Sequence, residues 1–271
     1  MAAKILISAG EASGDLYAAS LATALRSRLA GVEFFGCAGP RMQAAGVRPV
    51  IDAASLAVVG LIEVVSHIPR IYREYRKLLG AARRERPDLA ILTDSPDFHL
   101  RLARQLRKLD VPVIYLVAPQ VWAWRKGRLR GMRRVIDRLL CIFPFEEEFF
   151  RRHRIEATYI GHPLSVLVRP SFTKEEFFAR HGFAPDRPLV ALLPGSRRGE
   201  ALRHLPELAD AIRRIAARRA VTFALGLPPG RFVHAVEELA EFRERIPGAS
   251  IQIVEGETWD VLAHADLALA A

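Results

Sequence analysis

Cysteine is nearly absent: Cys37 and Cys141 are the only two in 271 residues. Each lies in an apolar, strand-like run and no zinc spacing is present, which argues against a disulfide or metal framework and for small buried thiols in a reducing compartment. Long apolar runs are also missing. Nothing approaches the roughly 18 to 20 residues that span a bilayer, and the apolar stretch before Glu11 is too short for a signal peptide. A cytoplasmic chain is the expectation, with a place on a membrane surface left open. No G-x-G-x-x-G follows the first strand, so dinucleotide binding has no support. No D-x-D precedes a strand end, so neither metal nor cofactor is expected. Acidic side chains are the minority charge, 30 against 40 Lys and Arg, for a net +10. A field of that sign attracts nucleic acid, anionic lipid or phosphorylated substrates without choosing among them. Nucleic acid ranks low, because no recognisable module or interleaved surface aromatics accompany the charge.

What is present suffices for one large core or two modest ones: 51% of residues are hydrophobic and the mean hydropathy is +0.11. The chain reads as alternating strands and helices. Lys4 to Ala9 is a first strand, followed by the turn Gly10-Glu11-Ala12-Ser13-Gly14-Asp15 and a helix with Tyr17, Leu21, Leu25 and Leu29 at i+4 spacing. Gly10 and Gly14 let a ligand or a neighbouring backbone come close, and the helix amino terminus offers N–H groups to an anion; the plainer alternative is an ordinary tight turn. Further strands are expected at Glu33 to Ala38, Leu89 to Leu92, Val111 to Val117, Asp137 to Pro144, Leu189 to Leu193, Val221 to Leu225, Ile251 to Val254 and Leu267 to Ala271. Helices are expected near Phe232 to Arg245 and Trp259 to Ala263. The rhythm predicts two α/β domains with a cleft between them: residues 1–165, a linker at 166–188 with a short helix from Lys174 to His181, and 189–271, read as incomplete because it stops inside an apolar strand.

The organising stretch is Asp88 to His99. A short apolar strand runs into Asp94 and Asp97, separated by Ser95 and by Pro96, which forbids the strand and suits the first turn of a helix. Both acids therefore fall at the carboxyl edge of a buried strand, where open α/β sheets bind ligands. Asp97 serves equally well as a helix cap. Two other stretches stand out. From Leu61 to Leu79 apolar residues recur at helical spacing, with Val64, Val65, Ile68 and Ile71 among them. Arg70 and Arg73 begin a crowd of cations on the remaining positions, which suits either a lipid headgroup layer or an ordinary solvated helix. Gln120-Val121-Trp122-Ala123-Trp124-Arg125 ends the Val111 to Val117 strand, as a core plug or a pocket wall.

Seven motifs in order carry a resemblance. They are Gly10 to Asp15, Ala38 to Met42, Val59 to Val64, Asp94 to Phe98, Pro119 to Trp124, Ile160 to Pro163 and Leu193 to Arg197. Together they resemble the lipid-A-disaccharide synthase family along this whole chain, over about the first two thirds of the family's length. The resemblance implies two Rossmann-like domains of GT-B type, the second truncated. It also implies an inverting transfer that joins UDP-2,3-diacylglucosamine to 2,3-diacylglucosamine 1-phosphate, releasing UDP and forming the β(1→6) lipid A precursor.

Such a transfer needs a base at the acceptor hydroxyl and positive groups at the departing diphosphate. Asp94 is the candidate base, with Asp97 behind it. Arg197 is the candidate partner for the diphosphate, assisted by N–H groups of Gly195 and Ser196. The resemblance assigns Gly10, Glu11, Ser13, Gly14 and Asp15, with Asp97, Gln120 and Trp122, to substrate binding. It turns Val64, Val65, Ile68, Arg70, Ile71 and Arg73 into a membrane contact on the cytoplasmic face, since both substrates carry acyl chains. His99 departs from the family's usual Asn, a change expected to alter a hydrogen bond beside Asp97. The family's UDP-binding Ser-Gly-Thr segment and dimer-building helices would begin after Ala271, so turnover by this chain is expected to be poor and a homodimer to require that part. Two rival readings stay open: a related GT-B UDP-sugar enzyme, and an inactive module that only binds lipid surfaces.

Overall fold

A computed structural model describes residues 3–56, 63–196, 198–230 and 236–271, without the side chains of 63–67, 198 and 236. Arg197 and the 59–62 part of the third motif lie outside the described residues, as do the side chains of Val64 and Val65 and the start of the helix expected from Phe232. The chain divides into two compact units, Met1–Ser165 and Val166–Ala271.

The first unit is a seven-stranded, all-parallel sheet. In chain order its strands are β1 (Lys4–Ala9), β2 (Glu33–Ala38), β3 (Arg48–Asp52), β4 (Leu89–Thr93), β5 (Val113–Leu116), β6 (Arg138–Cys141) and β7 (Ala157–Tyr159). They lie in the order β3-β2-β1-β4-β5-β6-β7. Its helices are α1 (Ala12–Arg26), α2 (Pro40–Ala44), α3 (Glu63–Glu85), α4 (Pro96–Arg107), α5 (Leu129–Val135), α6 (Pro144–Arg152) and α7 (Leu164–Leu167). Sheet residues alternate between two cores. Ile5, Ile7 and Ala9 meet α1 and α2 on one face, while Leu6, Leu92 and Tyr115 meet α3, α4, α5 and α6 on the other. Ser8 shares the parity of Leu6, so it points to the α4 face. Both cysteines are buried and unpaired.

The expected strands are present, with shifted ends. β5 keeps only Val113–Leu116 of the longer run, and the Asp137 to Pro144 run is cut at Cys141 because Pro144 starts α6. Two strands were absent from the sequence reading, β3 and β7, and both are edges of the sheet. β3 carries Arg48, Pro49 and Asp52, and β7 has three residues, so neither shows the apolar run of a strand buried on both faces.

The second unit contains β8 (Leu189–Leu193), β9 (Thr222–Leu227), β10 (Ser250–Glu255) and β11 (Leu267–Ala270), in the parallel order β10-β9-β8-β11. Its helices are α8 (Lys174–His181), α9 (Arg198–Ala216), α10 (Val236–Glu244) and α11 (Thr258–His264). The stretch 166–188 is not a free linker. α8 begins with a capping box from Thr173 and Glu176 and, with Phe183 just after it, buries Phe177 and Phe178 against Leu189, Ala224 and Val261. Asp260 accepts the N–H groups of Ser171 and Phe172 at 2.6 and 2.9 Å, tying the segment down.

Candidate active site

The turn after β4 builds the site. Asp94 and Ser95 both take left-handed backbone angles, φ 52° and 36°, a conformation that costs a non-glycine residue about 1 to 3 kcal/mol. Pro96 then fixes the first turn of α4, as its ring geometry predicts. The double turn swings the Asp94 carboxylate back over the β1–α1 loop. There it accepts the N–H of Gly10 at 2.8 Å and of Glu11 at 3.1 Å.

This geometry explains the glycines. A Cβ on Gly14 would sit 1.8 Å from Asp94 Oδ2, and one on Gly10 would sit 2.6 Å from Ser95 Oγ. What approaches the loop is thus the chain's own carboxylate, and the anion at the amino terminus of α1 is Asp94. Burial pushes the Asp94 carboxyl up to about 7, against the lowering pull of the two N–H groups and the Ser95 hydroxyl. Its side chain is 13% exposed, so the acid is shielded yet not sealed.

The Asp94 carbonyl is held too. It accepts from His99 Nδ1 at 2.9 Å and from the Tyr115 hydroxyl at 2.5 Å. His99 Nε2 meets Ser8 Oγ at 2.8 Å, and Ser8, His99 and Tyr115 are all fully buried. Burial pushes His99 down to about 4, so its ring is neutral near pH 7. The hydrogen bond expected beside Asp97 therefore lies beside Asp94. Sequence reasoning passed over Ser8 and Tyr115. The available signal was register: Tyr115 pairs with Leu92 and Ser8 also pairs with Leu92, which brings both next to the strand end.

The other predicted residues divide. Asp97 is no cap; its side chain is 72% exposed and forms ion pairs with Arg125 at 3.1 Å and Arg128 at 2.5 Å. Ser95 occupies the cap position instead. Asp15 is buried and spends both oxygens on α2, accepting from Arg41 N at 3.0 Å and Met42 N at 3.1 Å, while Glu11 and Ser13 are exposed. Trp122 is half-buried; its indole donates to the buried Glu146 at 3.0 Å and stands edge-on to Phe145. Trp124 is 59% exposed, with Arg125 over its ring, so only the first tryptophan of the pair is anchored. Gln120 is exposed.

In the second unit Gly195 has φ +120°, where a Cβ would lie 2.7 Å from Glu200, and Ser196 is exposed at the carboxyl end of β8. On α3, Ile68 and Tyr72 are 55% and 57% exposed, Arg70 and Arg73 are exposed and Ile71 is half-buried. The cores take up Leu78, Leu79, Ala81 and Ala82 from the later turns of this helix. Among the described residues no three His, Cys, Asp or Glu side chains form a metal site, and no helix is long and apolar enough to cross a membrane. Recesses of about 300 Å³ beside Leu129, Arg130, Arg133 and His153 and of about 110 Å³ beside Leu205 and Phe242 include no residue of the Asp94 turn.

The two parallel α/β units, the first with an acid and a glycine turn at its strand ends, have the fold of the GT-B type, and solved structures agree. UDP-GlcNAc 2-epimerase from Neisseria meningitidis, bound to UDP-GlcNAc, is similar with a TM-score of 0.67 at 10% identity, over 98% of this chain and 77% of that one. The calicheamicin glycosyltransferase is similar with a TM-score of 0.58 at 16% identity, over 99% and 75%.

Sequence comparison is more particular. The model of the family described as lipid-A-disaccharide synthetase matches residues 5–271. The lipid-A-disaccharide synthase of Solibacter usitatus is 63% identical over 99% of this chain, and that of Myxococcus xanthus 43% identical over 99%. The Koribacter versatilis enzyme is 50% identical over 78% of it. The chain belongs to the lipid-A-disaccharide synthase family of glycosyltransferases. It spans 56 to 69% of the length of these three relatives.

Proposed function

We propose that this chain supplies the acceptor-activating unit of an inverting glycosyl transfer that joins UDP-2,3-diacylglucosamine to 2,3-diacylglucosamine 1-phosphate. Asp94 takes the proton of the acceptor hydroxyl as the oxygen attacks the anomeric carbon; the bond to UDP breaks, and the configuration inverts. The observation that carries this reading is the Asp94 carboxylate itself, shielded at a strand end and raised to about 7. A base is most effective with its affinity for protons near the working pH. Arg197, with the N–H groups of Gly195 and Ser196, meets the charge of the leaving diphosphate. Gly10, Glu11, Ser13 and Gly14 contribute the loop over which the acceptor lies, with Asp15 holding that loop to α2, and Asp97, Gln120 and Trp122 complete the binding surface.

Ile68 and Tyr72 support a membrane role for α3, because they are exposed apolar side chains beside exposed Arg70 and Arg73. By the family resemblance Val64, Val65 and Ile71 are assigned to the same contact. The protein then works as a peripheral protein on the cytoplasmic face of a membrane that holds both acylated substrates.

The test is disaccharide formation by this chain extended to the full length of its Solibacter relative. The parent should form product from acylated UDP-glucosamine and much less from the non-acylated sugar nucleotide. Asp94→Asn should lose about 10²- to 10⁴-fold in rate, the usual worth of a positioned base. Equal use of the two donors, or an Asp94→Asn variant at the parental rate, would refute the reading.

A further inference from the structure

Two consecutive non-glycine residues in the left-handed region do not hold themselves there. Asp94 and Ser95 do so at φ 52° and 36°; the Ser95 hydroxyl on the Asp94 carboxylate helps locally, but two successive non-glycine residues there still need a further reason to stay. The hydrogen bonds around them supply one, and the Asp94 carbonyl assigns their directions. A carbonyl oxygen only accepts, so His99 Nδ1, 2.9 Å from Asp94 O, carries the ring proton. The neutral ring then presents Nε2 as an acceptor, and Ser8 Oγ, 2.8 Å away, must donate. Tyr115 donates its hydroxyl to the same carbonyl at 2.5 Å. The resulting chain runs from the Ser8 hydroxyl to the ring, from the ring to the Asp94 carbonyl, and back from that carbonyl to Tyr115. It joins β1, α4 and β5 to one peptide group, and all three side chains are sealed from solvent.

From this geometry we infer that His99 and Tyr115 are positioning residues: by clamping the Asp94 carbonyl they impose the left-handed turn that aims the Asp94 carboxylate at the N–H groups of Gly10 and Glu11, while Ser8 only sets which nitrogen of the His99 ring faces that carbonyl. Tyr115 bonds the carbonyl and acts through the backbone; His99 Nδ1 also lies 3.9 Å from Asp94 Oδ1, so Tyr115 carries the test of the backbone route. The inference deepens the base role proposed for Asp94 and rests on it for its catalytic meaning, but the clamp is testable without turnover. Tyr115 supplies most of the selectivity of that test, because removing its hydroxyl deletes one oxygen and leaves the ring in the core. His99 supplies a built-in control. The Nδ2 of an asparagine is bonded to Cγ, as Nδ1 of the imidazole is, so His99→Asn keeps a donor for the carbonyl while giving up the partner of Ser8.

The experiment is a carbon-13 titration of the aspartate carboxyls in the 271-residue chain, with the Asp94 signal assigned by its loss in Asp94→Asn. The titratable and charged groups facing this carboxyl are Glu11 from the loop, His99 with Nδ1 3.9 Å from Oδ1, Tyr115 and Cys37, with Asp97 and Arg128 around Tyr115; Tyr115→Phe alters none of them but its own hydroxyl, which burial keeps protonated across the titrated range. In the parent the midpoint is expected at about 7. In Tyr115→Phe and His99→Leu the turn relaxes, the carboxylate swings toward water, and the midpoint falls toward the ordinary range near 4; in His99→Asn it stays near the parental value. Amide protection at Gly10 and Glu11 should fall in the first two variants and persist in the third. If His99→Leu does not fold, Tyr115→Phe and His99→Asn still decide the matter. Folded Tyr115→Phe with the parental midpoint and protection would overturn the clamp, as would His99→Asn behaving like the unfixed variants. An Asp94→Asn enzyme that turns over normally would instead overturn the base role and leave the clamp standing.

Discussion

Burying the Asp94 carboxyl has a thermodynamic cost that depends on pH, and its sign is fixed by the structure. The group is raised from 3.8 to about 7 by burial. Between those values the folded chain keeps a proton that the unfolded chain has released, so the contribution of this group to stability is present at low pH and is lost as pH rises to about 7. A rise of about three pH units corresponds to about 4 kcal/mol in all, of which about 3 kcal/mol falls between pH 5 and 8. The raw stability curve hides this, because His99 works in the opposite direction. Its ring is lowered to about 4, so the unfolded chain binds the extra proton between about 4 and 6.5 and stability rises with pH across that window. The two effects nearly cancel in the parent.

The difference between parent and Asp94→Asn does not cancel. The asparagine loses a fixed increment of hydrogen bonding, on the order of 1 kcal/mol, at every pH, and escapes the charge burial altogether. Relative to the parent, Asp94→Asn should therefore gain about 3 kcal/mol between pH 5 and pH 8. The assay is urea unfolding read by hydrogen exchange of β1 and β4 peptides, which reports the first unit alone. A difference that stays constant from pH 5 to pH 8 would refute the claim that Asp94 is desolvated.

Gly14→Ala places a methyl group 1.8 Å from Asp94 Oδ2; it should destabilise the first unit by about 1 to 3 kcal/mol and lower the Asp94 titration midpoint, whereas a parental midpoint would show that the loop yields freely. Asp15→Ala strips the N–H groups of Arg41 and Met42 of their acceptor and should cost about 1 to 2 kcal/mol in urea unfolding; no loss would mean that water replaces the carboxylate. Arg70→Glu with Arg73→Glu should weaken binding to vesicles of anionic lipid at least tenfold at low salt, at about 1 kcal/mol per cation, with the difference shrinking as salt is raised. Unchanged sedimentation with those vesicles would remove α3 from the membrane contact.

Much of this was legible in the order of residues, and the reasons are physical. Strands buried on both faces write continuous apolar runs, so β1, β2, β4 and β8 were read within one residue at each end. The edge strands β3 and β7 escaped because an edge need not be apolar. Pro96 announced the end of β4 and the start of α4 through its ring alone. The sequence could not say that Gly10 and Gly14 make room for Asp94, since the contact spans 84 positions. It ranked Asp94 ahead of Asp97 as the base but could not say how differently the two sit. Three residues apart, one is shielded and the other lies between two arginines, and only the left-handed turn between them decides which faces the loop. The buried trio Ser8, His99 and Tyr115 carried no local pattern at all, because polar residues inside a sheet are explained by partners that register supplies.

The role of Asp94 as a base is read most directly by the pH dependence of the rate. Disaccharide formation should be measured from pH 5 to pH 9 at saturating substrates, in the chain carried to the length of its relatives. The rate should climb with pH and level off with a midpoint at about 7, since only the deprotonated carboxylate accepts the acceptor's proton, and Asp94→Asn should lack that limb. A parental profile that is flat across the range, or the same limb persisting in Asp94→Asn, would contradict the account.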